Sequence, residues 1–163
     1  MRTAHDAVDP ADLVGRWNAL RRALRGWALE HPHDFALIYG SPVPDYQAPA
    51  ERTTEPGTAV MALLVTLLED ARRAGRVPGA DALGVTPPDA TTALGPLLED
   101  PMFDDTGIDP AMLAQGIAAW TLLRGAVTSE VFSQLGPLPD PPALFETLLS
   151  ASPRLVVTAT PAD

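Results

Sequence analysis

The sequence predicts an all-α fold, a bundle of about six helices, and three observations carry that prediction. Apolar residues recur at helical spacing in one segment after another. Several of these segments open on Asp-Pro or another proline-marked start and close near Gly or Pro, the chemistry of helix ends. Strand signals are nearly absent: only residues 155–157 look like one, and they lie in a tail of Ser, Pro, Thr and Ala.

The first helix starts at Asp9-Pro10, with Asp12 adding negative charge to its first turn, and runs to about Glu30. Leu13, Trp17, Leu20, Leu24 and Trp27 keep a four-three-four-three rhythm, so one face is core. Arg16, Arg21, Arg22 and Arg25 sit off that stripe and read as a solvated face. His31-Pro32 ends the helix, because a residue before proline is pushed out of the helical region. Residues 33–39 give a short second helix closed by Gly40. A long proline-rich loop follows, carrying Tyr46 between Pro44 and Pro49.

Thr54 or Glu55 with Pro56 opens a third helix, whose broad apolar face is Val60, Leu63, Leu64, Leu67, Leu68 and Ala71, with Arg72, Arg73 and Gly75 at its end. Residues 76–88 read as a Gly/Pro linker. Pro87-Pro88-Asp89 leads into a weak helix with Leu94, Leu97 and Leu98, and residues 99–109 form an acidic connection.

Residues 109–135 give the longest helical signal. Asp109 caps it, Pro110 supplies a preset φ, and Gly136-Pro137 stops it. Leu113, Ile117, Trp120, Arg124, Val127 and Val131 alternate at four and three, while Met112, Leu123 and Phe132 widen the apolar surface to two faces. At ~1.5 Å per residue this helix is roughly 39 Å long, more than one small bundle covers, so part of it is expected to meet another subunit. A last helix follows Asp140-Pro141, with Leu144, Phe145, Leu148 and Leu149 on its apolar side. Residues 1–8 are expected to be disordered, 9–150 to form one domain and 151–163 to be a flexible tail.

Composition excludes whole classes of chemistry. All 11 basic residues are Arg, so there is no Schiff-base or phosphate-loop lysine, and the net charge of -10 opposes DNA binding by this stretch. With no Cys there is no disulfide framework, thiol nucleophile or thiolate metal site. The N-terminus lacks the apolar core of a signal peptide, and the longest apolar run, residues 59–68, is far short of the ~20 needed to span a bilayer. A soluble cytoplasmic protein with no membrane partner is expected.

Candidate sites are few. His31 and His33, with Asp34, point apart across the helix break, so capping and packing are the reading there rather than a metal. Asp100, Asp104, Asp105 and Asp109 lack the spacing and terminal Glu of a calcium loop. No cofactor is implied. No nucleophile faces a histidine at a useful spacing, and an enzyme would need carboxylates such as Glu69 or Glu130 with raised pKa values. The aromatics are better candidates: a mostly apolar pocket lined by Trp17, Tyr39, Met61, Leu64, Leu68, Phe103 and Trp120, with Tyr46 near its mouth.

Two segments, residues 21–46 (RRALRGWALEHPHDFALIYGSPVPDY) and 118–135 (AAWTLLRGAVTSEVFSQL), closely resemble the C-terminal ligand-sensing and dimerising domain of TetR-family transcriptional regulators. The resemblance spans residues 9–150 and includes a helix broken at His-Pro, then a later helix bearing Trp120, Gly125, Glu130 and Phe132. It implies an all-helical domain that senses a small apolar effector. It also implies a homodimer in which the last two helices, about 110–135 and 141–150, pair with their symmetry mates. The partner-facing residues would be Arg124, Gly125, Val127, Thr128, Val131, Phe132, Leu144, Phe145 and Leu148, with Gly125 admitting a neighbouring helix at close range. The family's DNA-binding helix-turn-helix has no counterpart before Asp9, so a fragment of a longer regulator is expected, with DNA bound only through a domain outside this chain. The alternative is a stand-alone helical dimerisation module with a solid core and no ligand.

Overall fold

The computed structural model describes residues 7–40, 50–79 and 93–158, with side chains described in the third helix from Val60 onward. Among these residues are five α-helices and no strand: α1 Leu13–Glu30, α2 Pro32–Tyr39, α3 Ala50–Arg73, α4 Pro110–Val131 and α5 Pro141–Leu148. Three short 3-10 turns, Gly95–Glu99, Pro101–Phe103 and Ser152–Leu155, complete the order. The expected Tyr46 loop and the start of the weak helix fall outside the described residues.

The helix starts follow the chemistry of their caps. Asp12, not Asp9, caps α1: its carboxylate accepts the Gly15 N–H at 2.8 Å, and a side chain at position 15 would collide with that carboxylate. Asp9 instead accepts from Ala11 N–H at 2.9 Å in the turn before the helix. His31 closes α1 by donating its N–H to the Trp27 carbonyl, and Pro32 starts α2 at once. Asp109 and Asp140 cap α4 and α5 on Met112 and Ala143, each followed by proline.

Besides the later start of α1, three features differ from expectation. The third helix begins at Ala50, before the Pro56 start signal. The Leu94 to Leu98 stretch winds mainly as a 3-10 turn. And α4 stops at Val131, ahead of Gly136-Pro137: Ser133 takes a positive φ of 52° and Gln134 N–H reaches back to the Ser129 carbonyl at 2.9 Å, satisfying a terminal carbonyl.

The core is one cluster, with α4 against α1 and α3 and Leu13, Trp17, Leu20, Leu24, Leu64, Leu67, Leu68, Leu113, Leu123 and Val127 at its centre. Gly116 makes room for α3: a methyl there would lie 2.7 Å from Leu68 Cδ1, so the Leu68 side chain packs directly on the α4 backbone. The described part of the tail expected to be flexible, 151–158, packs instead. Its 3-10 turn lies on α4 and α1, Ser152, Val156 and Val157 are buried, and Thr158 N–H donates to the Arg76 carbonyl at 2.9 Å while its own carbonyl accepts from Arg76 Nε. Two valines and a satisfied indole partner outweigh the ordering of a few residues. Among the described residues no helix is long and apolar enough to cross a membrane.

Candidate functional site

The residues expected to line an interior pocket divide into two sets. Trp17, Leu64 and Leu68 are fully enclosed core: the Trp17 indole donates to Ser152 Oγ at 2.9 Å, and the two leucines pack over Gly116. Tyr39, Met61, Phe103 and Trp120 are half-buried, and of these Tyr39 and Trp120 meet edge to face at 5.9 Å. Tyr39 belongs to an aromatic row that also holds Trp27, Phe35 and Phe132, with Phe35 at 5.0 Å from Tyr39, 6.3 Å from Trp27 and 6.1 Å from Phe132. Burial raises the Tyr39 phenol pKa, opposed by the Arg124 charge. Tyr46 lies outside the described residues.

A cavity of about 470 Å³ lies elsewhere, on the outer face of α3. Ala62, Thr66, Glu69 and Arg73 recur at four-three-four spacing along that face, Val65 and Asp70 flank them, and Met102 and Thr106 form the opposite wall. Thr66 and Thr106 each turn their hydroxyl proton inward, onto the carbonyls of Ala62 and Phe103, and so offer lone pairs outward. This second stripe on α3 is missed when only the apolar face is read from the sequence; the 62-66-69-73 periodicity was the available signal.

Glu69 anchors the groove. It accepts Arg72 Nε and Nη2 at 2.8 and 2.9 Å, Arg73 Nε at 2.9 Å and the Gly107 N–H at 3.1 Å. The Arg72 hydrogen bonds foremost hold its carboxyl at about 2, well below the usual carboxylate range, against a burial effect in the other direction. The raised value that acid catalysis at Glu69 needs is therefore contradicted. This is a structural anion joining the end of α3 to the turn before α4, and a Cβ at Gly107 would strike the Arg72 guanidinium where it now lies.

The arginines of α1 also depart from expectation. Arg16 and Arg21 are buried, and all four reach carboxylates on other helices. Arg16 Nη1 meets Asp70 at 2.8 Å, Arg21 and Arg22 converge on Glu146 at 2.7 and 2.9 Å, and Arg25 forms a two-pronged pair with Glu130 at 2.6 and 2.7 Å. Hydrogen bonds from Arg22 foremost lower the Glu146 pKa. Sequence spacing within α1 cannot reveal partners 54 to 125 residues away. Buried Gln115 has a comparable tertiary role: its Nε2 donates to the Gly79 carbonyl at 2.7 Å and ties that segment to α4.

At the far end of α4 an apolar surface faces outward. Leu122, Phe132, Leu135 and Leu148 are exposed, and a small cleft between α4 and α5 is lined by residues including Ala126, Glu130, Leu135, Leu144 and Leu148. Arg124 and Gly125 are exposed and Thr128, Val131 and Leu144 half-buried, in keeping with an outward position. Val127 and Phe145 are 0% and 3% exposed, enclosed by the protomer's own core, so of the residues the resemblance placed on the partner these two face inward. A Cβ at Gly125 would meet nothing within 4 Å, whereas one at Gly116 would press on Leu68 of α3. Among the described residues no group of three or more potential ligands gathers to hold a metal ion.

The family whose description is tetracyclin repressor-like, C-terminal domain, matches residues 17–152. Three curated proteins show the same kinship: HTH-type transcriptional regulators Rv1816 and MT1864 of two Mycobacterium tuberculosis strains, H37Rv and CDC 1551, and Mb1846 of Mycobacterium bovis. Each is 34% identical over 163 aligned residues, covering 93% of this chain and 65% of the relative. The chain thus spans just under two thirds of those regulators' length. An all-helical architecture, the matched stretch and this level of identity agree: the chain belongs to the tetracyclin repressor-like C-terminal domain family of transcriptional regulators.

Proposed function

We propose that this chain is the effector-sensing and homodimerising part of a cytoplasmic, non-enzymatic TetR-like regulator, in which DNA is bound by a helix-turn-helix domain outside the chain. The observation that carries the reading is the outward apolar surface of α4 and α5, around Arg124, Gly125, Thr128, Val131, Phe132, Leu144 and Leu148, on a protein whose opposite helix faces are already packed. Burying exposed Leu and Phe side chains against a second copy contributes roughly 25 cal/mol per Å² of apolar area, and an isologous pairing of helices closes the assembly at two. The solution mass over several decades of concentration tests this, with a dimer expected.

For the effector we place the site in the α3 groove. A small molecule needs volume, and about 470 Å³ lies in the usual range for such sites, whereas Trp17, Leu64 and Leu68 are already enclosed. Its apolar lining of Ala62, Val65 and Met102 suits a largely apolar effector. Differential affinity for two arrangements of the domain would then shift the spacing of DNA-binding heads. Any compound that raises the melting temperature of the wild type should fail to do so with Thr66→Trp, which fills the groove from an exposed position. Retained stabilisation would move the site to Tyr39, Met61, Phe103 and Trp120.

A further inference from the structure

We infer that three arginines of α1 are positioning residues for the self-association face: Arg25 through Glu130, and Arg21 and Arg22 through Glu146, set where α4 and α5 present their apolar side chains to a second copy. The inference rests on the proposed self-association through that face.

The reason lies in what holds α5 besides Leu149, which is buried just past its end. It is eight residues long, far below the length at which a helix is stable by itself, and Phe145 is its buried residue. The guanidinium groups of Arg21 and Arg25 stand 5.9 and 5.1 Å from the Phe145 ring centre, so α1 cations lie against the apolar anchor within the helix. The next residue, Glu146, takes Arg21 Nη2 at 2.7 Å and Arg22 Nε at 2.9 Å. On the α4 side, Glu130 lines the cleft between the two helices and is held by both prongs of Arg25. Arg25 and Glu130 side chains are only 21% and 13% exposed, so water competes weakly and the fork geometry fixes direction as well as distance. Leu144 and Leu148 of α5 and Ala126 of α4 are thereby held in register from behind, by charges on a third helix.

The test is a charge exchange read by sedimentation equilibrium, with far-UV circular dichroism confirming the fold of each variant. Arg25→Glu and Glu130→Arg singly should raise the dimer dissociation constant about tenfold or more, and the double exchange should return it to within about threefold of wild type. Glu146→Gln is the milder variant should a charge reversal fail to fold, with an expected rise of about threefold to fivefold and a wild-type dimer that weakens as salt is added. Single variants within twofold of wild type overturn the inference. So does a double exchange no better than the singles, which would mean that Glu130 meets the partner directly. A wild type that stays monomeric removes the self-association reading and this inference with it.

Discussion

The indole N–H of Trp17 donates to the hydroxyl of Ser152 across 2.9 Å, 135 residues apart in the chain, at a point where both residues are fully buried. The Ser152 hydroxyl in turn donates to the Leu149 carbonyl at 2.7 Å, so the pair is satisfied inside apolar surroundings. Ser152→Ala removes the acceptor and leaves an unpaired indole N–H in the core, at a cost of roughly 1–3 kcal/mol. Urea denaturation checks this. Added to Trp17→Phe, the same substitution should cost much less, because the donor is already gone; equal costs in both backgrounds would contradict the pairing.

Glu69 makes stability depend on acid. Its folded pKa is about 2 against an ordinary 4.5, so the unfolded chain takes up the proton first as pH falls. The contribution is complete above about pH 4.5 and is lost progressively as pH falls towards about 2, amounting to roughly 1–3 kcal/mol. The lowered Glu146 pKa acts in the same direction. Glu69→Gln should be less stable than wild type at neutral pH and lose less on acidification. Parallel wild-type and variant curves between about pH 5 and 2 would show that Glu69 is not held as an ion.

Gly107 supplies the third side of that site. Because a Cβ at this position would strike the Arg72 guanidinium, Gly107→Ala should displace Arg72 from Glu69, cost about 1–2 kcal/mol and shift the acid transition to higher pH. Denaturation at neutral and acid pH reads both effects together. An alanine variant with wild-type stability and acid profile would mean that Arg72 can rotate away without consequence.

Much of the fold is legible in the sequence because its punctuation is local. Asp109-Pro110 and Asp140-Pro141 mark helix starts whose capping carboxylates reach only three residues forward, and the break at His31-Pro32 follows from proline sterics alone. What the sequence conceals is tertiary. The apolar rhythm of α4 identifies Val127 and Val131 equally as buried-type positions, and only packing decides that Val127 turns into the protomer while Val131 stays partly open. The arginines of α1 read as a solvated face because their carboxylates are distant in sequence, and the tail past Ser152 reads as loose because Trp17, its partner, stands at the other end of the chain. The groove on α3 escapes for a related reason: its stripe of Ala62, Thr66, Glu69 and Arg73 is mostly polar and its other wall, Met102 and Thr106, is distant in sequence.

The most direct test of the account is the solution mass of Gly125→Leu beside wild type across several decades of concentration. A Cβ added at Gly125 meets no other part of the protomer within 4 Å, and leucine is a better helix former than glycine by up to about 1 kcal/mol, so the substitution should leave the protomer intact or more stable. A dimeric wild type and a Gly125→Leu variant that is monomeric with an undiminished melting temperature is the predicted result. A variant with the same dimer dissociation constant as wild type would contradict the assignment of Gly125 to the partner-facing surface, and a wild type monomeric throughout would contradict dimerisation through α4 and α5 altogether.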